Sequence, residues 1–292
     1  MRRSDHRRAS SDRDWRTIAV IYAVIGLIAN TISALSVKEL PPEELYKTDL
    51  EVIQMDEKPY TLLEGARLLF SNKYYMMICG VLFLSQLCQS SLNMGLYFMK
   101  YVLGNEALLK AFTLFANAPL ILGLIIIPWL VRKLRGMYKL NIAGYFLAVL
   151  GRIGVLVAAY IGSIPAMLVF TGIAALGVSP LQGGMNALIA SCSEYTFLTQ
   201  RKRIDGTMYS SSSFGTKLGA SLGTAICGWI MASAGYVENA ATQTASAINM
   251  LHILYLWVPV ILNCAVMILL AYLKVEKANE KVLASKVQRY GI

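Results

Sequence analysis

The feature that most constrains this chain is a succession of long apolar runs separated by short polar connections. The runs lie at 17–37, 76–99, 112–131, 140–161, 165–189, 207–234 and 250–273. Each has about the 20 residues that a helix needs to cross a bilayer's hydrocarbon core. Only a helix satisfies every backbone N–H and C=O within such a segment, so the pattern predicts an all-α polytopic membrane protein with about seven spans. Composition agrees: 56% of the 292 residues are apolar and 15% charged, against about 25% charged in soluble domains. Pro119, Pro128, Pro180 and Pro259 fall inside runs, where neighbouring helices re-satisfy the freed carbonyls.

Charge placement sets the orientation. The net charge of +10 is carried largely between runs, in the segment Arg132 to Lys139, in Arg201-Lys202-Arg203 and in the tail from Lys274. The alternate connections, 162–164 and 235–249, hold no Lys or Arg. Such asymmetry marks the basic side as cytoplasmic and places the C-terminus there. It argues against a nucleic-acid partner, for which basic residues would cluster on one face. An odd number of spans then puts the N-terminus outside, at odds with the six arginines among the first sixteen residues.

The organisation expected is a polar Arg-rich arm (1–16), one transmembrane helix (17–37), a cytoplasmic linker (38–75), a six-helix bundle (76–273) and a cytoplasmic tail (274–292). Within the linker, Leu62, Leu63, Ala66, Leu69 and Phe70 trace an apolar helical face. They predict a short amphipathic helix lying along the membrane surface, a pattern that a helix packed on protein would share.

Polar residues inside the runs are the candidates for function. Lys217 lies far from either end of its run, where a charge is costly and usually functional. Ser210, Ser213, Lys217, Ser221 and Thr224 recur at three- and four-residue steps as a polar stripe. Ser211, Gly215, Gly219 and Gly223 form a small-residue ladder on the other side, suited to close helix packing. Arg152 sits mid-run between Gly151 and Gly154. Gln86, Asn93, Gln182 and Asn186, with Gln89, Ser90, Asn117 and Asn263, supply uncharged donors and acceptors. Such groups either bond one helix to another or bind a polyhydroxylated ligand.

Enzyme chemistry has little to build on. His6 and His252 are the two histidines, no carboxylate lies deep in a run, and no GxSxG, HExxH or P-loop motif occurs. The five cysteines, Cys79, Cys88, Cys192, Cys227 and Cys264, lie in or at the ends of runs without CxxC spacing. They read as buried small hydrophobes.

Glu194-Tyr195, Arg203-Ile204-Asp205-Gly206, Phe214 and Lys217-Leu218-Gly219 resemble the motif of the glycoside–pentoside–hexuronide:cation symporters. This is the melibiose-permease branch of the major facilitator superfamily. Arg203, Gly206, Phe214 and Lys217 match its pattern around the tenth-to-eleventh-helix loop. Asp205 replaces a glutamate, Thr196 a glycine, and Phe197 stands where a second glutamate is usual. The linker ending in Ser71-Asn72-Lys73-Tyr74 resembles the loop joining the two halves of such carriers. The resemblance implies the family's sixth helix followed by a C-terminal six-helix bundle, in a chain lacking most of the N-terminal half.

It implies a secondary active transporter in the plasma membrane, a sugar:cation symporter with no resident cofactor and with Na⁺ or H⁺ as the coupling ion. Lys217 would belong to the cation site; Arg152, Gln182, Asn186, Gln86 and Asn93 would line the pathway. Glu194, Arg203 and Asp205 would make contacts closing the cytoplasmic side. The expected partners are the bilayer, a sugar or glycoside, and either an N-terminal half in trans or further copies of the chain. The alternative is a non-transporting membrane fragment or helical interaction module.

Overall fold

The computed structural model describes residues 2–36, 61–134, 136–238, 240 and 242–290. Most of the expected linker, 38–60, lies outside the described residues. The chain divides into two units, Met1–Asp56 and Glu57–Ile292. Among its described residues lies α1 (Arg2–Ser36), of which Trp15–Ser36 is long and apolar enough to span a membrane. The arm is thus helical and continuous with the span.

The second unit is a helical bundle. Its members are α2 (Leu62–Ser71), α3 (Lys73–Asn93), α4 (Gly95–Tyr101), α5 (Leu108–Leu134), α6 (Met137–Ile161) and α7 (Ile164–Gln200). After these come α8 (Asp205–Ser233), α9 (Ala245–His252), a π-helical turn (Ile253–Trp257), α10 (Val258–Tyr272) and α11 (Val275–Tyr290). Among the described residues six helical segments meet the length and apolarity needed to cross a membrane, rather than seven. The expected seventh, 207–234, is α8. It has the length, 29 residues, but its serines, threonines and Lys217 lower its hydropathy.

Two further boundaries differ from expectation, and both differences arise from burial. Helix α7 continues beyond 189 to Gln200, so Glu194 stands on a helix rather than in a turn. Cys192, Ser193, Thr196, Phe197 and Leu198 are buried there, which holds the extra turns in place. The tail is α11, packed on α7, with Val275 and Asn279 buried. Asn279 Nδ2 donates to the Ser191 carbonyl at 2.9 Å. Glu276 accepts from the backbone N–H of Met137 (3.1 Å) and Tyr138 (3.4 Å), capping α6 where its first donors have no helical partner.

Helix α2 turns Gly65 and Leu69 inward and leaves Leu63 and Phe70 84% and 73% exposed. Its apolar residues therefore serve two faces, one on protein and one outward, as a helix at a membrane surface requires. Thr61 caps its start, and Glu64 pairs with Lys202 from the α7–α8 connection.

Asn72 joins α2 to α3. Its Oδ1 accepts from the N–H groups of Tyr74 (3.0 Å) and Tyr75 (3.1 Å), while Nδ2 donates to the Cys192 carbonyl (2.9 Å) and Thr196 Oγ1 (2.8 Å). One buried amide thus caps a helix and ties it to α7.

Small residues set the closest helix pairs. A Cβ on Gly177 would lie 2.3 Å from the Ala148 nitrogen and 2.6 Å from the Gly144 carbonyl oxygen; on Gly151 it would lie 2.5 Å from the Ala174 nitrogen. Helices α6 and α7 therefore touch backbone to backbone. In α8, Gly219 and Gly223 pack against Gln86 and Ser90 of α3, and Ser90 Oγ donates to the Ala220 carbonyl at 3.3 Å.

The interior divides into two apolar cores. One gathers Tyr75, Ile78 and Val81 of α3, Tyr145 of α6, Leu181 and Leu188 of α7, and Val266 and Leu270 of α10. The other gathers Phe98 and Met99 of α4, Val155 and Ala158 of α6, Met167 of α7, and Leu251, Leu254, Tyr255 and Leu256. Between and beside the two cores these helices carry polar groups, among them Gln89, Arg152, Thr171 and Asn263.

Candidate functional site

The polar band between the cores is built from four helical paths. On α3 and its continuation it holds Ser85, Gln86, Gln89 and Asn93; on α6, Arg152; on α7, Thr171 and Gln182; on α10, Asn263. Arg152 stands about 22 Å along α6 from Met137 and about 13 Å from Ile161, at 1.5 Å per residue.

Two cavities occupy this band. The first, about 450 Å³, is lined by Ser85, Gln86, Cys88, Tyr145, Met185 and Asn263 among others. The second, about 380 Å³, is lined by Asn93, Phe112, Thr113, Asn117, Thr171 and Tyr255 among others. Gln89, Leu92, Arg152, Val178 and Gln182 form walls of both, so the cavities are two lobes either side of Arg152. Both fall in the size range of small-molecule sites, about 300–1,000 Å³. Gln89, Asn93, Asn117 and Gln182 are exposed, which shows that the lobes open at the bundle surface.

The lobes owe their shape to local backbone. Gly151 lets α7 come close beside Arg152. On the facing path, Pro259 lacks an N–H, and the π turn Ile253–Trp257 directly precedes α10. Such turns leave backbone groups for side chains to satisfy. Ser91 Oγ donates to the Leu254 carbonyl, and Asn263 Nδ2 donates to the Pro259 carbonyl at 2.6 Å. The turn carries Tyr255 into the second lobe, stacked on Phe98 with ring centroids 4.7 Å apart.

Electrostatically the chamber is one-sided. Arg152 Nε is buried without a hydrogen-bond partner, as is Ser85 Oγ in the first lobe. Among the described residues no Asp or Glu lines either lobe. A cation in mid-membrane costs about 2.5–3.5 kcal/mol on insertion scales, and the half-buried position of Arg152 beside two open lobes eases that cost.

Of the pathway residues expected from sequence, Arg152, Gln182, Gln86 and Asn93 are brought together in this chamber. Asn186 and Lys217 are not among its walls. Asn186 is exposed, and its carbonyl accepts from Tyr209 Oη at 3.0 Å. Lys217 is exposed on α8, as are Ser210, Ser213, Ser221 and Thr224. The stripe faces away from α3 because the opposite face, with Gly219 and Gly223, is the one that packs. Ser221 and Thr224 bond to their own helix, at 3.0 and 2.9 Å.

The three gate residues also stand apart. Glu194 accepts from Asn279 Nδ2 at 3.4 Å, Arg203 stacks on the Phe197 ring at 4.8 Å, and Asp205 sits in the first turn of α8. Among the described residues no ion pair joins them. Sequence reasoning missed Tyr145, Tyr255, Ser85 and Thr171 as chamber walls. Nothing local marks these residues: sixteen tyrosines are spread along the chain, and only tertiary contact selects two.

Membrane-length helices around a polar chamber between two apolar cores define a polytopic membrane protein. Residues 5–277 match the family described as MFS/sugar transport protein, and the chain belongs to that family. It is 27% identical over 283 residues to the isoprimeverose transporter of Lactiplantibacillus pentosus, covering 97% of this chain and 56% of that protein. It is 30% identical over 180 residues to the uncharacterized symporter YnaJ of Bacillus subtilis, covering 61% and 37%. The chain thus spans about half the length, or less, of these relatives. These relatives are transporters, not enzymes.

Proposed function

We propose that this chain is the substrate-binding C-terminal portion of a sugar:cation symporter in the plasma membrane, with its C-terminus cytoplasmic. The observation that carries the reading is the two-lobed chamber around Arg152, amide-rich and seated midway between two apolar cores. Amide side chains present paired donors and acceptors that match vicinal hydroxyls. Alternating access then rocks this bundle against a second one about the chamber. That second bundle, supplied by an N-terminal half, covers the exposed stripe of α8. Lys217 then meets the carboxylates that bind the coupling Na⁺ or H⁺. Glu194, Arg203 and Asp205 make their closing contacts to the same partner on the cytoplasmic side, which accounts for their separation here.

The test is uptake of labelled glycosides into proteoliposomes holding the chain together with a matching N-terminal half. Accumulation driven by an imposed Na⁺ or H⁺ gradient is the expected result. Absence of accumulation under either gradient removes the two-part carrier reading and leaves a membrane module without transport.

A further inference from the structure

Away from the chamber, the outward surface of the bundle carries a groove of about 580 Å³ between α6 and α10. On α6 its walls include Lys139, Ala143 and Phe146, which recur at helical spacing along one face. On α10 they include Ile268 and Ala271. Phe146 and Ile268 are each 56% exposed, and the small side chains of Ala143 and Ala271 leave the space between the two helices open.

Tyr138 closes one end. Its Oη donates to the Ala271 carbonyl at 2.9 Å, one of the last carbonyls of α10, which have no partner within their helix. Tyr272, the last residue of α10, is exposed at the same end. Tyrosines so placed mark the level of lipid headgroups, with the ring in hydrocarbon and the hydroxyl in the polar layer. Lys139 sits at this level and is the one charged residue among the described walls. It is exposed, and among the described residues it makes no ion pair. Glu276 stands at the start of α6, but its two carboxylate oxygens accept from the backbone N–H groups of Met137 and Tyr138. From Lys139 to Phe146 the groove runs about 10 Å along α6 toward mid-membrane, at 1.5 Å per residue.

We infer that this groove is a site for an anionic phospholipid, with one acyl chain lying between α6 and α10 and the headgroup phosphate on Lys139. The hydrophobic effect supplies no preference here, because the chain leaves hydrocarbon as apolar as the groove. Shape holds the chain and charge selects the lipid. A basic residue at the membrane surface favours an anionic lipid by about fivefold. A zwitterionic lipid brings the same phosphate with a cation beside it, which cancels that gain. The bound lipid ties α6 to α10, the helices that carry Arg152 and Asn263 to the chamber. The inference requires only that the chain lie in a membrane and is independent of what the chamber transports.

Native mass spectrometry of the purified chain counts the lipids retained per chain and reads its oligomeric state. The probes are palmitoyl-oleoyl phosphatidylglycerol, the phosphatidylcholine with the same chains, and soluble glycerol phosphate. One phosphatidylglycerol per chain should bind at least about fivefold tighter than phosphatidylcholine. Lys139→Gln should lower phosphatidylglycerol affinity by about fivefold and leave that of phosphatidylcholine unchanged. Ala143→Phe fills the groove without changing charge and should remove both lipids from this site. Lys133→Gln takes an equal charge from the end of α5, where Lys133 stacks on Trp129 outside the groove, and should leave the preference intact.

Equal binding of the two lipids by the wild type overturns the inference. So does an equal loss in Lys133→Gln, which reduces the effect to general surface charge. An Ala143→Phe chain that holds phosphatidylglycerol with unchanged affinity overturns it too. Displacement of the lipid by glycerol phosphate would make Lys139 a soluble-phosphate site, and a lipid-free dimer would give the groove to a second copy of the chain; either result also overturns it.

Discussion

The contact between α6 and α7 makes a prediction whose sign depends entirely on the tertiary structure. A methyl group on Gly177 would stand 2.3 Å from the Ala148 nitrogen, 2.6 Å from the Gly144 oxygen and 2.7 Å from the Ala148 Cα. Ordinary contacts begin at 3.4 Å, so the shortfall is about 1.1 Å, and every atom in the way is backbone. No side-chain rotation relieves it, and the helices must separate. Overpacking of this kind costs about 1–3 kcal/mol. A contact limited by backbone belongs at the upper end, offset by up to about 1 kcal/mol from alanine's better helix propensity. Gly177→Ala should therefore destabilise by about 2 kcal/mol.

Gly228 on α8 is the matched control: a Cβ there meets nothing within 4 Å, so Gly228→Ala should be neutral or stabilising by up to about 1 kcal/mol. Thermal unfolding in one detergent, followed by circular dichroism, reads both. For a chain of this size about 2 kcal/mol lowers the midpoint by roughly 4–8 °C. Separating α6 from α7 also moves Arg152 relative to Gln182, so glycoside affinity should fall with the midpoint. If Gly177→Ala melts no lower than the wild type, the backbone contact between the helices is wrong.

Three other outcomes are expected. Asn72→Ala removes a helix cap and two buried side-chain bonds at once. It should destabilise by roughly 2–3 kcal/mol in the same melting assay, with Asn72→Asp intermediate because the cap acceptor survives. Glu64 is held below its ordinary value of 4.5, chiefly by its hydrogen bond to Lys202. The hold on α2 is accordingly complete above that value and lost as pH falls through the lower folded value. The distance between spin labels at Leu63 and Thr199 should broaden only as pH falls through that lowered value, and in Glu64→Gln it should be broad at every pH. Lys217→Ala in the two-part carrier should abolish gradient-driven uptake while leaving glycoside binding to the chain intact; unchanged coupled uptake would take Lys217 out of the coupling step.

Much of the architecture was legible because hydropathy and helix length act locally. A run of about 20 apolar residues has one stable form in a bilayer, so the spans could be found without knowing their neighbours. The spacing of Gly219 and Gly223 likewise marks a close-packing face, and the family motif around Arg203 and Lys217 is local in sequence. Ends were less legible. The last turns of α7 and the helicity of the tail depend on each other's burial, as the Asn279 to Ser191 bond shows, and no single segment carries that information.

The chamber itself was decided by tertiary structure. Arg152, Gln182, Gln86 and Asn93 were visible as polar residues in apolar runs, but a polar residue in a helix has no intrinsic direction. Packing between α6 and α7 turned Arg152 inward, while the same kind of packing, on the opposite face of α8, turned Lys217 outward. Two intramembrane cations that look alike in sequence therefore have different fates. Charge and periodicity specify that each must find a polar environment; which environment is set by the face its helix buries, a property of the whole bundle.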